Sequence, residues 1–398
     1  MHVLIIGGGI AGPVTALALQ RAGIRASVYE AHASPAESLG LFLGLGINGM
    51  RVLRDLDLLD AVMAAGVIPT PAMEFSSASG KRLGRVSNGW LSPDAPSVTL
   101  MRGALQKVLA DEAARRGIAI HYQKRFVGAT STGAGIIAHF ADGSKAEGDL
   151  LVGADGIRSR VRAALDPRAP EPSYVGLLNL GGAARATGLA PTPGTMHMIW
   201  GKRAFFGYTI REDGEAWWFA NLGQDRVPER GELERVATTE WRRRLSALFA
   251  ADPPLINALI GRTEAIGAVP IYDMPSLPRW HAGRIVLLGD AAHAVSPSAG
   301  QGASMALEDA VMLAKCLRDI PDLEPALARY EALRRPRAER IVRDGRRRGT
   351  YKAPRHRLAL ALRDLLMPLV FRLFVTEKAL RWIYDYEIGW DAPLPQGA

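Results

Sequence analysis

The run Val3–Ile6 is apolar and rich in branched side chains, and it breaks off into Gly7-Gly8-Gly9-Ile10-Ala11-Gly12. An apolar helix follows to about Ala22. Gly23 ends it, and Ala26–Tyr29 forms a second strand that closes on Glu30, 18 residues after Gly12. Strand, glycine hexad, helix, strand and acid in this order make a βαβ unit that holds a dinucleotide. Gly7 permits the tight turn, Gly9 lets the backbone approach a pyrophosphate, and Gly12 lets helix and strand pack closely. Glu30 can accept from both hydroxyls of an adenosine ribose. A chain opening this way is committed to an α/β fold around a parallel sheet, Rossmann-like at its core. The hexad alone does not separate FAD from a nicotinamide dinucleotide.

A second unit of the same mechanical kind lies at residues 283–309. Ile285–Leu288 is long enough for a buried strand and too short for a helix. Gly289 and Asp290 end it, and a loop carrying Pro297, Gly300 and Gly302 follows. Ala303, Leu307, Ala310, Ala314 and Leu317 then recur at spacings of 4, 3, 4 and 3, one face of a helix. A carboxylate at a strand's end thus lies near a glycine-rich helix N-terminus, whose free N–H groups suit an anion.

The stretch LLGDAAHAVSPSAGQGASMALEDA resembles the second FAD motif of the single-component flavoprotein monooxygenases, the para-hydroxybenzoate hydroxylase-like family. The resemblance implies that Asp290 holds the ribityl chain and that Pro297 lies beside the isoalloxazine ring. It sets the backbone of Gly300, Gln301 and Gly302, with Ala303 behind, against the pyrimidine edge. Two further motifs stand in family order. Gly7, Gly9, Ala11, Gly12 and Glu30 correspond to the adenosine end. Gly153-Ala154-Asp155-Gly156 resembles the family's Asp-Gly motif, whose Asp lies near the flavin; Asp155 can also cap the helix that begins near Arg158. Arg102 sits in the first turn of a helix, a poor dipole match, and the family's Arg at this place contacts FAD. One departure is plain: Glu37-Ser38-Leu39-Gly40-Leu41 stands where the family carries an Arg facing the flavin.

At 398 residues the chain has room for two domains of roughly 150 residues or more each. The motifs imply that the FAD domain is assembled from residues 1–70, 97–167 and 268–350. A β-sheet substrate domain is expected from 71–96 and 168–267, and a C-terminal helical segment from 351–398. Within the substrate domain a helix is expected at about Leu233–Phe249, and Phe205–Ile210 with Glu215–Asn221 reads as a hairpin. A two-residue turn at Asp213-Gly214 would put Phe206, Tyr208, Phe219 and Asn221 on one face, and Phe205, Thr209 and Trp218 on the other. Arg334–Arg348 holds eight arginines and reads as a solvated helix face. Leu358–Tyr384 reads as a Pro-interrupted apolar helix packed across the two domains.

A net charge of +9 favours anionic partners, which a nicotinamide dinucleotide or an acidic substrate satisfies. No zinc-ligand spacing, recognition module or basic arm points to nucleic acid. Cys316, the single cysteine, falls inside an apolar helix and reads as a buried inert thiol. The first strand begins by His2 or Val3, which leaves no room for a signal peptide. No uncharged run approaches the ~20 residues of a membrane span. A cytoplasmic monomer or homodimer without stable membrane insertion is expected.

What the family resemblance implies is an NAD(P)H- and FAD-dependent monooxygenase. Such an enzyme takes O2 through a flavin C4a-hydroperoxide and inserts one oxygen atom into an aromatic or otherwise unsaturated small organic substrate. Phenolic substrates activate themselves, so no base is forced; Tyr208 and His197 are the pocket candidates. A flavin-dependent reductase or halogenase is one rival, although the halogenase W-x-W-x-I-P signature is missing because Trp217 and Trp218 are adjacent. A flavin-binding scaffold without turnover is the other.

Overall fold

The computed structural model describes residues 1–34, 42–87, 92, 94–349 and 357–394, so the departure at Glu37–Leu41 lies outside the described residues. Five strands run parallel in a six-stranded sheet, in the spatial order Ile285–Leu287, Leu150–Gly153, His2–Ile6, Arg25–Tyr29, Ile120–His121. His281–Ala282 adds an antiparallel edge. Parallel strands covered on both faces need continuous apolar runs, and Val3, Leu4, Ile5, Leu150, Leu151, Val152, Val286 and Leu287 are all fully buried. The helices Ala11–Arg21 and Gly302–Asp319 pack together on this sheet.

Register brings the strand ends into line. Ile6 pairs with both Tyr29 and Gly153, and Gly153 pairs with Leu287. Gly7, Glu30, Asp155 and Asp290 therefore all leave the sheet along its C-terminal edge, where open α/β sheets bind their ligands.

A second sheet has seven strands, ordered Gly267–Asp273, Ser173–Ala184, Ala216–Gly223, Phe205–Ile210, Thr195–Trp200, Ala72–Ser77, Arg82–Ser87. Ala72–Ser77 and Arg82–Ser87 thus join this sheet from an earlier part of the chain. The return differs: Gly267–Asp273 is an edge strand of this second sheet, so the chain re-enters the first region after Asp273. One face is covered by Thr238–Leu248, which starts later than the expected Leu233, and by a further helix, Pro254–Gly261, that was not expected.

The hairpin loop corrects the facing of the central strands. Ile210 pairs with Ala216, and the Arg211 N–H donates to the Glu215 carbonyl at 2.9 Å. The loop is therefore Glu212-Asp213-Gly214, three residues, with Gly214 at φ +82°. A one-residue change in loop length moves one strand's side chains to opposite faces. Phe206 and Tyr208 consequently share their face with Trp218 and Ala220, whereas Phe219, Asn221 and Trp217 stand with Phe205 and Thr209.

The C-terminal segment forms two helices, Arg357–Phe374 and Glu377–Tyr384. Pro368 lies inside the first; the break falls at Val375-Thr376, where Thr376 caps the second helix. The pair runs from the second sheet, where Phe371 is buried against Leu83 and Val86, to the start of the Ile47–Asp55 helix, where Tyr384 lies beside Gly46.

Candidate active site

The glycine turn is built by contact. A Cβ on Gly7 would meet the Ala154 carbonyl oxygen at 2.4 Å, and one on Gly12 would meet the Gly7 oxygen at 1.8 Å. At Gly9 a Cβ would find nothing within 4 Å. Gly7 and Gly12 are thus locked by protein backbone, while Gly9 faces open space where a ligand backbone contact fits. Glu30 is buried beneath the turn and accepts from the Gly8 N–H at 2.6 Å and the His32 N–H at 2.8 Å.

Asp155 accepts from Ser159 Oγ at 2.5 Å and from the N–H groups of Arg160 and Val161 at 2.7 and 3.1 Å. Its carboxylate therefore caps the Arg160–Leu165 helix; burial raises its pKa and these bonds oppose the rise. Arg162 then reaches across to the Ala291 carbonyl at 3.1 Å, tying that helix to the Asp290 turn. Asp290 is exposed at the strand's end although protein crowds its other sides. That crowding raises its pKa, and the nearby Arg102 charge opposes it.

Past Asp290, Pro297–Ala299 makes a single 3₁₀ turn and Gly300 takes the left-handed conformation at φ +62°. Gln301 caps the 18-residue helix Gly302–Asp319, whose first turn carries no acidic residue. Gln301 Oε1 accepts from Asn48 at 2.8 Å, yet Gln301 Nε2 and Asn48 Oδ1 are buried without partners. An orphaned donor and acceptor at a helix N-terminus suit the imide edge of a flavin, which offers acceptors and a donor together.

These features gather Gly9, Glu30, Asp155 and Asp290 along one edge of the sheet. The chain matches the FAD binding domain family over residues 1–345. It is 35% identical over 377 residues to the aurachin C monooxygenase/isomerase of Stigmatella aurantiaca, covering 93% of this chain and 94% of that one. The chain belongs to the single-component FAD-dependent aromatic monooxygenases. It is also 31% identical to the 6-hydroxynicotinate 3-monooxygenase of Bordetella bronchiseptica, covering 86% of this chain and 90% of that protein. Among solved structures, Klebsiella pneumoniae HpxO, complexed with FAD and uric acid, superposes with a TM-score of 0.83 at 25% identity. That match covers 96% of this chain and 97% of HpxO. The fold is that of para-hydroxybenzoate hydroxylase, and the enzyme binds FAD.

A group that sequence reasoning missed underpins the monooxygenase's cofactor edge. Glu308 and Asp309 are wholly buried on the Gly302–Asp319 helix. Arg334 bridges them, at 2.7 Å to each, and Arg337 meets Glu308 at 2.9 Å. Asp309 also accepts from the Gly289 N–H at 2.9 Å and meets His293 at 2.5 Å, fixing the turn that carries Asp290. Burial pushes the Asp309 carboxyl up, but His293 and Arg334 more than offset it and hold it well below the usual range. The expectation of a solvated arginine face is thus corrected for Arg334 and Arg337, which turn inward. The available signal was an acid pair inside an apolar periodic run, followed by that arginine cluster.

On the second sheet, Phe42 from the first region lies 6.1 Å from Trp217 and 5.9 Å from Phe219, centroid to centroid. The face carrying Trp217, Phe219 and Asn221 therefore looks toward the FAD domain. Gly207 lets the Phe219 ring lie flat over it, since a Cβ there would sit 2.2 Å from Phe219 Cε1. Asn179 and Asn221 are register partners, and both Oδ1 atoms are buried without a donor, as is the Trp217 Nε1–H without an acceptor. Tyr208 and His197 are placed elsewhere. They stack on each other at 5.0 Å on the opposite face, with Tyr208 packed into the helix-covered core. Burial raises the Tyr208 pKa and lowers that of His197, so both stay neutral there. Their nomination as pocket residues does not fit this placement, because the three-residue hairpin loop turns them away.

Proposed function

We propose that the enzyme holds FAD noncovalently along the Gly7–Glu30–Asp155–Asp290 edge, takes reducing equivalents from NAD(P)H, and oxygenates a small aromatic between flavin and second sheet. The observation that carries the reading is the alignment of four strand ends beneath an inward face bearing Trp217, Phe219, Asn179 and Asn221. Relatives named for 6-hydroxynicotinate and urate support a small ring with nitrogen or hydroxyl substituents.

In this reading Glu30 accepts from the adenosine ribose, Gly9 and the N-terminus of the Ala11–Arg21 helix face the pyrophosphate, and Asp290 accepts from the ribityl hydroxyls. Arg102 lies beside Asp290 and supplies positive charge. Pro297 borders the ring, and Gly300, Gln301, Gly302 and Ala303 present backbone and amide groups to its pyrimidine edge. Bound FAD supplies the redox chemistry: reduction by the nicotinamide, capture of O2, and transfer of one oxygen atom. The protein excludes water and orients the ring. The uncompensated helix N-terminus at Gly302 would stabilise negative charge on the bound ring by about 0.3–2 kcal/mol. The unpartnered Asn179, Asn221 and Trp217 groups meet the substrate's polar atoms, and no protein base is required of a substrate that ionises itself.

The test is oxygen and NAD(P)H consumption against a panel of hydroxylated aromatics and N-heteroaromatics, with product trapped. Stoichiometric oxygenated product supports the reading; NAD(P)H oxidation without oxygen uptake assigns a reductase, and no turnover with any panel member assigns a scaffold. Acid precipitation should release the flavin into solution; flavin retained on protein overturns the noncovalent assignment.

A further inference from the structure

The Arg357–Phe374 helix has two apolar sides, and the fold uses one. Its inward side packs Phe371 against Leu83, Val86 and Phe75. On the other, Leu358, Leu362, Leu365, Leu366, Leu369 and Leu373 form a row ending at Phe374, with exposures from 46% to 85%. Among the described residues, seven of the eleven exposed large hydrophobics lie on this helix (the others are Met1, Val127, Val227 and Val269). A contiguous row of this kind marks a contact surface.

Its surroundings choose the occupant. Lys81, Arg82 and Arg85 on the adjoining strand, Arg372 on the helix, and Lys378 and Arg381 just beyond are exposed. Of the nearby acids, Asp364 is paired with Arg363 at 2.7 Å, Glu74 with Arg82 at 3.2 Å and Asp385 with Arg381 at 2.9 Å, and Glu377 is exposed, so the six cations still outnumber the acids. An apolar row with a basic rim is the pattern of a helix lying in an anionic lipid interface. A second copy would set one cationic rim against another, a repulsive arrangement in a two-fold contact. Spanning is excluded for this helix, which is not long and apolar enough to cross a membrane.

We propose that the Arg357–Phe374 helix docks the enzyme on an anionic membrane surface, burying the leucine row among the acyl chains. The docked helix is continuous with the site. Phe371 contacts Trp200 at 5.9 Å, Trp200 is the register partner of Phe205, and Phe205 and then Phe42 each lie 5.9 Å from Phe219. An aromatic strip thus runs from beneath the lipid-facing helix to the inward face. Resting on the function proposed above, this opens the substrate face toward hydrocarbon and favours an aromatic carried in the bilayer.

Docking is tested apart from turnover, by flotation of the FAD-loaded enzyme with vesicles. Mixed phosphatidylcholine–phosphatidylglycerol vesicles should carry the enzyme, pure phosphatidylcholine vesicles should carry far less, and added salt should release it. Leu365→Gln with Leu369→Gln should lower partition by about tenfold or more, since each removes apolar area from the lipid contact. FAD content and melting temperature should not change, because both side chains are exposed. Three results overturn the proposal: no flotation with the mixed vesicles, equal flotation of the double variant, or a solution dimer that these substitutions split. The last would make the occupant a second copy.

Discussion

The two sheets hold their site residues by opposite means. Along the six-stranded sheet the cofactor edge is fixed from behind: backbone contacts lock Gly7 and Gly12, and a buried ionic group anchors the Asp290 turn. Across the cleft, the seven-stranded sheet offers Asn179, Asn221 and Trp217 with polar atoms left unpartnered. A cofactor that stays bound can be met by a rigid frame, here with Gln301 Nε2 and Asn48 Oδ1 left over for the ring. In the proposed function a substrate that comes and goes is met by groups whose partners arrive with it, at a cost in stability to the substrate-free enzyme. Substitutions should therefore destabilise the cofactor side and can stabilise the substrate side.

The largest effect is expected at Arg334. Arg334→Leu leaves Glu308 and Asp309 short of a buried counter-charge, and breaking a buried pair by removing one partner costs about 3–5 kcal/mol. Denaturant unfolding of the FAD-loaded enzyme measures it, and an unchanged midpoint would break the contrast between the sheets. The same group sets an acid limit. Folded Asp309 titrates below its unfolded value, so its stabilisation is present above about pH 4 and is lost as pH falls below that. Wild-type stability should decline there more steeply than that of Arg334→Leu.

Next comes the ring end. A Cβ on Gly302 would meet only Val295 Cγ1, at an ordinary 3.4 Å, so Gly302→Val should fold. Its bulk would instead displace the flavin, and a shift of about 1 Å can cost on the order of a hundredfold in a positioned reaction. Product per NAD(P)H should collapse while hydrogen peroxide rises and FAD is partly retained. Wild-type product yield from this variant would remove the stretch from the flavin's surroundings. Asp290→Ala should act on occupancy, lowering bound FAD.

Glu30→Ala is expected to weaken FAD without unfolding the chain. A hydrogen bond to a charged group is worth about 1.5–3 kcal/mol, roughly ten- to a hundredfold in affinity. Unchanged flavin occupancy after dialysis would assign Glu30 to holding Gly8 and His32 alone.

The same contrast explains what could be read in the residues. The cofactor edge was legible because backbone geometry dictates residue type: only glycine survives at Gly12, and strand–turn–helix order puts Glu30 and Asp290 at strand ends. The ionic group behind it was not, because Arg334 and Arg335 are identical in type and only the helix phase turns one inward. On the second sheet the strands themselves were legible, but their facing depended on whether the loop held two residues or three. Asp213-Gly214 fits either, and the third loop residue parted Tyr208 from the face that carries Trp217, Phe219 and Asn221. The leucine row of Arg357–Phe374 was visible as apolar; that the fold needs only Phe371 and its neighbours was not.

The smallest expected effect is the sharpest test of the comparison, because its two readouts should move in opposite directions. Asn221 Oδ1 is buried without a donor, and an unsatisfied buried polar group costs about 1–3 kcal/mol. Asn221→Leu keeps the volume and removes that acceptor, so the substrate-free enzyme should gain on the order of 1 kcal/mol of stability. If the amide meets the substrate, kcat/KM should meanwhile fall by about tenfold, with FAD content unchanged and the loss mainly in KM. Asn179→Leu, opposite it in register, should behave alike, and the double variant should lose less than the sum if both amides bind one substrate group. A fall in stability on either substitution would mean that the amide serves the fold, and the contrast between the two sheets would then be lost.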